Sequence, residues 1–200
     1  MELCLINGSH RVHSQSCRIA DHISKMQVVA DNFKRFNRID LSNAEIPVWN
    51  EGVWDGDDEW NGWFNLAEKM QEADAFLIIT PEWGGMVPPR LKNLLLLASI
   101  KETGHKPALI VSVSAGQGGF APMTELRSFA YKNNHICYIP DHVILRNVES
   151  LFKGTETTHE QHLTGRIEYS VRLLKQYASA LKSVRTSGVI NDQEYKYGMS

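Results

Sequence analysis

Apolar residues in this chain fall into short unbroken runs, and stretches of helical spacing separate them. Leu3-Cys4-Leu5-Ile6 is the first run, stopped by Asn7-Gly8-Ser9. Ala75-Phe76-Leu77-Ile78-Ile79 is the clearest, ending at Thr80-Pro81, and Ala108–Val113 is the third. Runs without polar alternation mark strands covered on both faces, the condition of a parallel sheet. Arg35–Leu41 is a weaker strand whose apolar content is Phe36 and Ile39. Ile136–Ile139 and Val143–Leu145 mark a last strand region.

Between the runs the period changes. Ile19, Ile23, Met26 and Ala30 recur at helical spacing. Shorter helices are predicted over Phe64–Glu72, Arg90–Ile100 and Pro122–Asn133. The last helix carries Leu163, Ile167, Val171, Leu174, Ala178 and Leu181 on one stripe. Strands alternating with helices predict a parallel sheet with helices on both faces, wound by right-handed crossovers. The pattern supports one domain over residues 1–184 and a polar, loosely ordered tail over 185–200.

Composition narrows the choices. A hydrophobic share of 42% over 200 residues can build a core, and a net charge of −2 gives no basic surface for nucleic acid. The start, MELCLINGSH, lacks a basic segment followed by a long apolar one, so no secretory signal is expected. The longest apolar run, Leu94–Ala98, is far short of a bilayer span. Cys4, Cys17 and Cys137 are odd in number and far apart, which fits reduced thiols in the cytoplasm.

Three loops follow the first, third and fourth strands, so all three should leave the sheet on one edge. There, outside the carboxyl ends, such sheets bind ligands. The first, Gly8–Ser16, joins hydroxyls of Ser9, Ser14 and Ser16 to Arg11 just before a helix. That set suits a phosphate monoester at a helix N-terminus, or ordinary capping by Ser14 or Ser16. The second holds Trp83 and Met86 around Gly84-Gly85, which suits close approach to a flat ring or a stiff turn into a helix. The third, Ser114-Ala115-Gly116-Gln117-Gly118-Gly119, offers backbone donors or a turn with no ligand.

On these residues the chain resembles the NAD(P)H-dependent FMN reductase family of the flavodoxin-like fold. Gly8-Ser9-His10-Arg11-Val12-His13-Ser14 is similar to that family's phosphate loop. Thr80-Pro81-Glu82-Trp83, Pro88 and Leu91-Lys92-Asn93 resemble its second signature. Ser114, Gly116, Gly118 and Gly119 with Leu126-Arg127 resemble its third, and Ile46–Glu51 its segment after the second strand. The likeness covers residues 2–145. It implies a three-layer α/β/α sandwich with a five-stranded parallel sheet of order 2-1-3-4-5. It also implies FMN as cofactor and NADPH or NADH as electron donor. A flavin, quinone, azo compound or nitroaromatic would be the acceptor, and the chain would assemble as a homodimer or homotetramer.

Carried over by position, Ser9, Arg11, Ser14 and Ser16 would bind the FMN phosphate. Pro81, Glu82, Trp83, Gly84 and Gly85 would line the isoalloxazine, and Ser114, Gly116 and Gly119 its other edge. No catalytic side chain is needed, because the cofactor carries the chemistry. Trp83 stands for the family's tyrosine, Gly84 for its asparagine, Leu96 for an acidic residue and Met86 for a small polar one. An electron-transfer flavoprotein and a flavin-less module of the same fold remain alternatives.

Other features have plainer readings. His10 with His13, and His159 with His162, lack the carboxylates or cysteines that would complete a metal set. Trp49, Trp54, Trp60 and Trp63 crowd one polar loop, which is either a lid or partner surface near the site or an anchor of that loop. Leu91 and Leu94–Leu97 make a helix apolar nearly all round, which predicts a subunit interface.

Overall fold

The three unbroken apolar runs take the middle of the sheet. The computed structural model describes residues 1–129 and 131–195. Position 130, inside an expected helix, and 196–200, in the expected tail, lie outside the described residues. The strands are β1 (Glu2–Asn7), β2 (Arg35–Asp40), β3 (Ala75–Pro81), β4 (Pro107–Val113) and β5 (Cys137–Leu145). Every ladder is parallel and the order is β2-β1-β3-β4-β5, as the resemblance implied. All residues of β1, β3 and β4 are buried, because helices cover both faces.

Alternate side chains of these strands enter two separate cores. Leu3, Leu5 and Leu77 pack with Ile19 and Ile23 of α1 (Gln15–Ser24), Val28 and Val29 of α2 (Gln27–Asn32), and Val171 and Leu174 of α7 (Thr158–Arg185). Cys4, Ile6 and Phe76 pack on the other side. Their partners come from α3 (Asn61–Glu72), α4 (Pro89–Leu97) and α6 (Ala121–Ser128), and include Met70, Leu91 and Leu126. A short helix, α5 (Ile100–Thr103), lies beside α3.

Several expected elements change at their ends. The first helix breaks at Met26, whose extended backbone restarts it as α2. Val28 and Val29 are then buried, and Ala30 of the expected stripe is exposed. Helix α4 stops at Leu97, and α5 begins with a capping box in which Ser99 and Glu102 satisfy each other's backbone. The last strand region is one strand across Pro140. The ladder shifts between Ala108 and Ile110 there, and the proline sits on an edge strand, where its missing N–H is tolerated. Helix α7 runs through Arg185, which donates to His105 O at 3.1 Å, so the packed body reaches that residue.

The apolar helix is mostly covered by its own chain. Leu91, Leu94, Leu95 and Leu97 are buried, and only Leu96 of the five stands 61% exposed. The second core uses residues of the Trp-rich segment: Trp60 and Trp63 are buried in it and Trp49 packs against it, while Trp54 is 73% exposed. The segment is therefore an anchored wall, with Trp54 meeting Trp49 edge-on at 5.8 Å.

Lys106 is the most demanding polar group in the core. Its ammonium donates to the carbonyls of Met70, Gln71 and Glu102 at 2.8, 2.8 and 2.9 Å, closing the ends of α3 and α5. Burial lowers its pKa from 10.5 to about 8.

Two predictions follow from this packing. Trp60→Ala should cost about 3–5 kcal/mol in denaturant unfolding, whereas Trp54→Ala should stay within about 0.5 kcal/mol. Between the folded pKa of Lys106, about 8, and its ordinary 10.5, the unfolded chain binds the extra proton, so this residue makes stability rise with pH across that window. Lys106→Met should lower stability at neutral pH and flatten that rise, measured as the unfolding midpoint from pH 7 to 10.5.

Candidate functional site

Parallel pairing brings the strand ends together. Asn7 of β1 lies opposite Ile79 of β3, and Pro81 of β3 opposite Val113 of β4. The first loop leaves β1 through Gly8, whose N–H donates to Ile79 O at 2.8 Å. A Cβ on Gly8 would stand 2.7 Å from Leu91 Cδ2 and 3.0 Å from Ile79 O, so only glycine lets the loop lie this close to α4. A cleft of about 180 Å³ opens between the loops. Ser9, Arg11, Ser14 and Ser16 line it from the first loop, and Pro81, Glu82 and Trp83 from the second.

The first loop realises both readings of its hydroxyls. Ser14 caps α1, its Oγ accepting from Cys17 N at 3.0 Å, and its own O–H proton is left to donate. Ser16 Oγ is buried and has no partner among the described residues, although it lines the cleft. Ser9 is buried; its N–H donates to Asn7 Oδ1 at 3.3 Å and its Oγ accepts from Arg11 N at 3.3 Å. Arg11 is exposed at the mouth. One of the N–H groups that the first turn of α1 leaves without helical partners is taken by Ser14, and the others add positive potential.

The second loop is a hairpin turn. Trp83 N donates to Met86 O and Met86 N to Trp83 O, each at 3.0 Å. The two residues between, Gly84 and Gly85, have φ of 57° and 74°. Two consecutive left-handed residues are what a type I′ turn requires, and they favour glycine or asparagine. This explains how Gly84 can occupy the place of the family's asparagine. Trp83 is wedged by His10, whose ring meets it edge-on at 4.8 Å. Burial first, and then the charge of Arg90, lower the His10 pKa, so the ring tends to stay neutral.

Glu82 ties the second loop to the third. Its Oε2 accepts from Gly119 N at 2.5 Å, and Glu82 N donates to Val113 O at 3.0 Å. The third loop enters the cleft through Val113 and Ala115 rather than through Ser114, Gly116 or Gly119. Ser114 is buried and its Oγ accepts from Gly116 N at 3.3 Å, while Gly119 is held by Glu82. These three shape the loop and stand behind its surface.

Two cleft residues, Val148 and Glu149, follow β5, which the sequence reading passed over. The signal was present, since the loop after a fifth parallel strand must leave on the same edge. Arg146 Nε donates to Gln117 O at 2.7 Å and Gly118 O at 3.0 Å, bracing the glycine loop from this side. Arg18 of α1 donates to Val148 O at 2.6 Å and Leu151 O at 2.8 Å. Arg127, part of the third-signature likeness, instead binds the carbonyls of Ile139 and Pro140 at 2.8 Å each. Asn93 Nδ2 donates to Pro47 O at 2.7 Å and its Oδ1 accepts from Trp49 N at 2.8 Å, which pins the Trp-rich segment to α4.

A roomier cavity, about 660 Å³, lies further along the rim between residues 42–47, Glu59 and Arg90. Two glutamates and one arginine line it, and none of the expected site residues reach it. Among the described residues no group of three or more His, Cys, Asp or Glu could hold a metal ion, and no helix is long and apolar enough to cross a membrane. The cleft's chemistry suits FMN: a cation and hydroxyls at a helix N-terminus for phosphate, a buried hydroxyl without a partner among the described residues, and an aromatic wall for a ring.

Comparison with known proteins agrees. The family described as NADPH-dependent FMN reductase matches residues 1–150. A quinone reductase of Pseudomonas putida is 26% identical over 159 residues, 76% of this chain and 82% of that protein. An NADPH azoreductase of a Bacillus species is 29% identical over 129 residues, 64% of this chain and 67% of that protein. In structure, the flavoenzyme NAD(P)H:(acceptor) oxidoreductase FerB of Paracoccus denitrificans superposes with a TM-score of 0.70 at 20% identity, over 88% of this chain and 98% of that one, and so shares the fold. With three quarters of its length matched and the expected sheet in place, this chain belongs to the NADPH-dependent FMN reductase family.

Proposed function

We propose that this NAD(P)H-dependent FMN oxidoreductase holds its cofactor in the cleft between the first, second and third loops. The observation that carries the assignment is the buried Ser16 hydroxyl, without a partner among the described residues, beside Arg11 and Ser14 at the start of α1. A phosphate monoester is the part of FMN that meets those donors. Ser9, Ser14 and Ser16 donate hydroxyl protons, Arg11 supplies a bidentate cation, and the first turn of α1 adds backbone N–H groups.

Pro81, Glu82 and Trp83 form one wall for the ring system, with Trp83 as the aromatic surface, and the exposed Gly84-Gly85 turn, which does not line the cleft, stands beyond it. Ser114, Gly116 and Gly119 keep the third loop in place against Glu82, so that Val113 and Ala115 face the cleft. Bound FMN supplies the hydride acceptance and electron delivery. The side chains exclude water, orient the ring and stabilise charge, and none is required as a general base.

The donor and a small-molecule acceptor use the exposed side of the hairpin in turn, where Gly84, Gly85 and Met86 leave room. Quinones and azo compounds are the acceptors in this reading, supported by the names of the two relatives; free flavins and nitroaromatics stand beside them. The reading includes one FMN-binding unit over residues 1–184, a homodimer or homotetramer with Leu96 as the open apolar position on α4, and a reducing cytoplasmic setting for the three unpaired cysteines.

Stopped-flow mixing of FMN-loaded protein with NADPH, and separately with NADH, tests the reaction at this site. Flavin absorbance should fall faster than in a buffer control with at least one donor; if neither donor outpaces the control, the reading fails. Arg11→Ala should weaken FMN binding by about 1.5–3 kcal/mol in a fluorescence titration. An unchanged dissociation constant would remove this arginine from the phosphate site.

A further inference from the structure

Asp40, the last residue of β2, does not line the cleft, yet three segments of the rim converge on it. Its Oδ1 accepts from Asn7 Nδ2 at 2.9 Å, Ser42 N at 3.0 Å and Ser42 Oγ at 2.7 Å. Its Oδ2 accepts from Cys17 Sγ at 3.4 Å and Arg38 at 3.2 Å. Asn7 ends β1, Cys17 lies in the first turn of α1, and Ser42 opens the loop after β2. Burial would raise the Asp40 pKa, but the donors from Ser42, Asn7 and Cys17 outweigh it and hold the carboxyl below its ordinary value. The group is therefore ionised at neutral pH and acts as an acceptor only.

That property decides the orientation of Asn7. The Asn7 side chain is fully buried and could present either its NH₂ or its carbonyl to Asp40. A carboxylate without a proton tolerates only the NH₂, so the Asn7 carbonyl must point the other way. There it accepts from Ser9 N at 3.3 Å, and Ser9 Oγ in turn accepts from Arg11 N at 3.3 Å. An unbroken series of hydrogen bonds thus runs from Asp40 through Asn7 and Ser9 to the backbone of Arg11.

We infer that Asp40 is a positioning residue for recognition of the FMN phosphate: its carboxylate sets the Asn7 amide, which holds Ser9 and, through the Ser9 hydroxyl, the turn that presents Arg11. This rests on the assignment of Ser9 and Arg11 to the phosphate. Asp40→Asn offers NH₂ as well as carbonyl to Asn7, so the amide loses its enforced direction and the series its polarity. A general loosening of the fold would weaken all flavin binding alike. Lost positioning of the phosphate loop weakens only ligands that carry the phosphate, so comparing FMN with riboflavin separates the two.

The test titrates FMN and riboflavin into the wild type, Asp40→Asn, Arg11→Ala and the double variant, following flavin fluorescence. Asp40→Asn should raise the FMN dissociation constant about tenfold and the riboflavin constant less than about twofold. In the Arg11→Ala background it should add little to the FMN loss, because the two act through one element. Equal weakening of both flavins, or an FMN constant unmoved by Asp40→Asn while Arg11→Ala does move it, overturns the inference alone. No effect of Arg11→Ala overturns the phosphate assignment and the inference with it. Should Asp40→Asn not fold, Asn7→Ala cuts the same series one link later, leaves the Arg38 and Cys17 contacts of Asp40 in place, and is read by the same ratio.

Discussion

The in-register parallel ladder of β1, β3 and β4 is the constraint on which the rest of the molecule depends. Its strands are buried on both faces, so their hydrogen bonds form out of reach of water and their ends cannot slide without exposing an entire apolar face. Because the strands are parallel and paired with Asn7 opposite Ile79 and Pro81 opposite Val113, three chain reversals are forced onto one edge. The hydrogen bond from Gly8 to Ile79 extends that ladder by one more link into the first loop.

Beyond the ladder, the rim is held by side chains that reach from one loop to the next. Glu82 spans from the second loop to Gly119, Arg146 grips the third from the far side, and Arg18 draws the segment after β5 onto α1. The same polar residues that a motif search would assign to ligand contact are here divided between contact and support. Ser16 faces the cleft with no partner among the described residues, whereas Ser114 spends its hydroxyl within the third loop and Gly119 its N–H on the second. A flat cofactor would meet walls already braced, which lowers the ordering cost of binding it.

Much of this was legible beforehand, and for definite reasons. Double burial leaves unbroken apolar runs, so β1, β3 and β4 were plain, and their shared direction placed the three loops together. The edges were less plain. β2 buries little beyond Ile39, and β5 carries Pro140, which breaks an apolar run although an edge strand accommodates it through a register shift. The helix boundaries depended on Met26 and on the Ser99–Glu102 box, where local backbone preference overrides an apolar stripe. The leucine-rich helix was legible in part: hydrophobicity all round signals burial but not by which chain, and here the second core covers four of its five leucines and leaves Leu96 open. The parts played by Arg18 and Arg146 were hidden because both bind carbonyls, and a carbonyl has no residue identity to read.

The bond from Glu82 to Gly119 also bears on how this protein can change over generations. A glutamate side chain spans a fixed distance, so inserting or deleting a residue in either reversal would strand the carboxylate away from its partner. Length changes in the two turns must therefore arise together or not at all. The stretch around Trp54, held by Asn93 at its base and by the packing of Trp49 and Val53, depends on no fixed span to the second and third loops and is where lineages should diverge first.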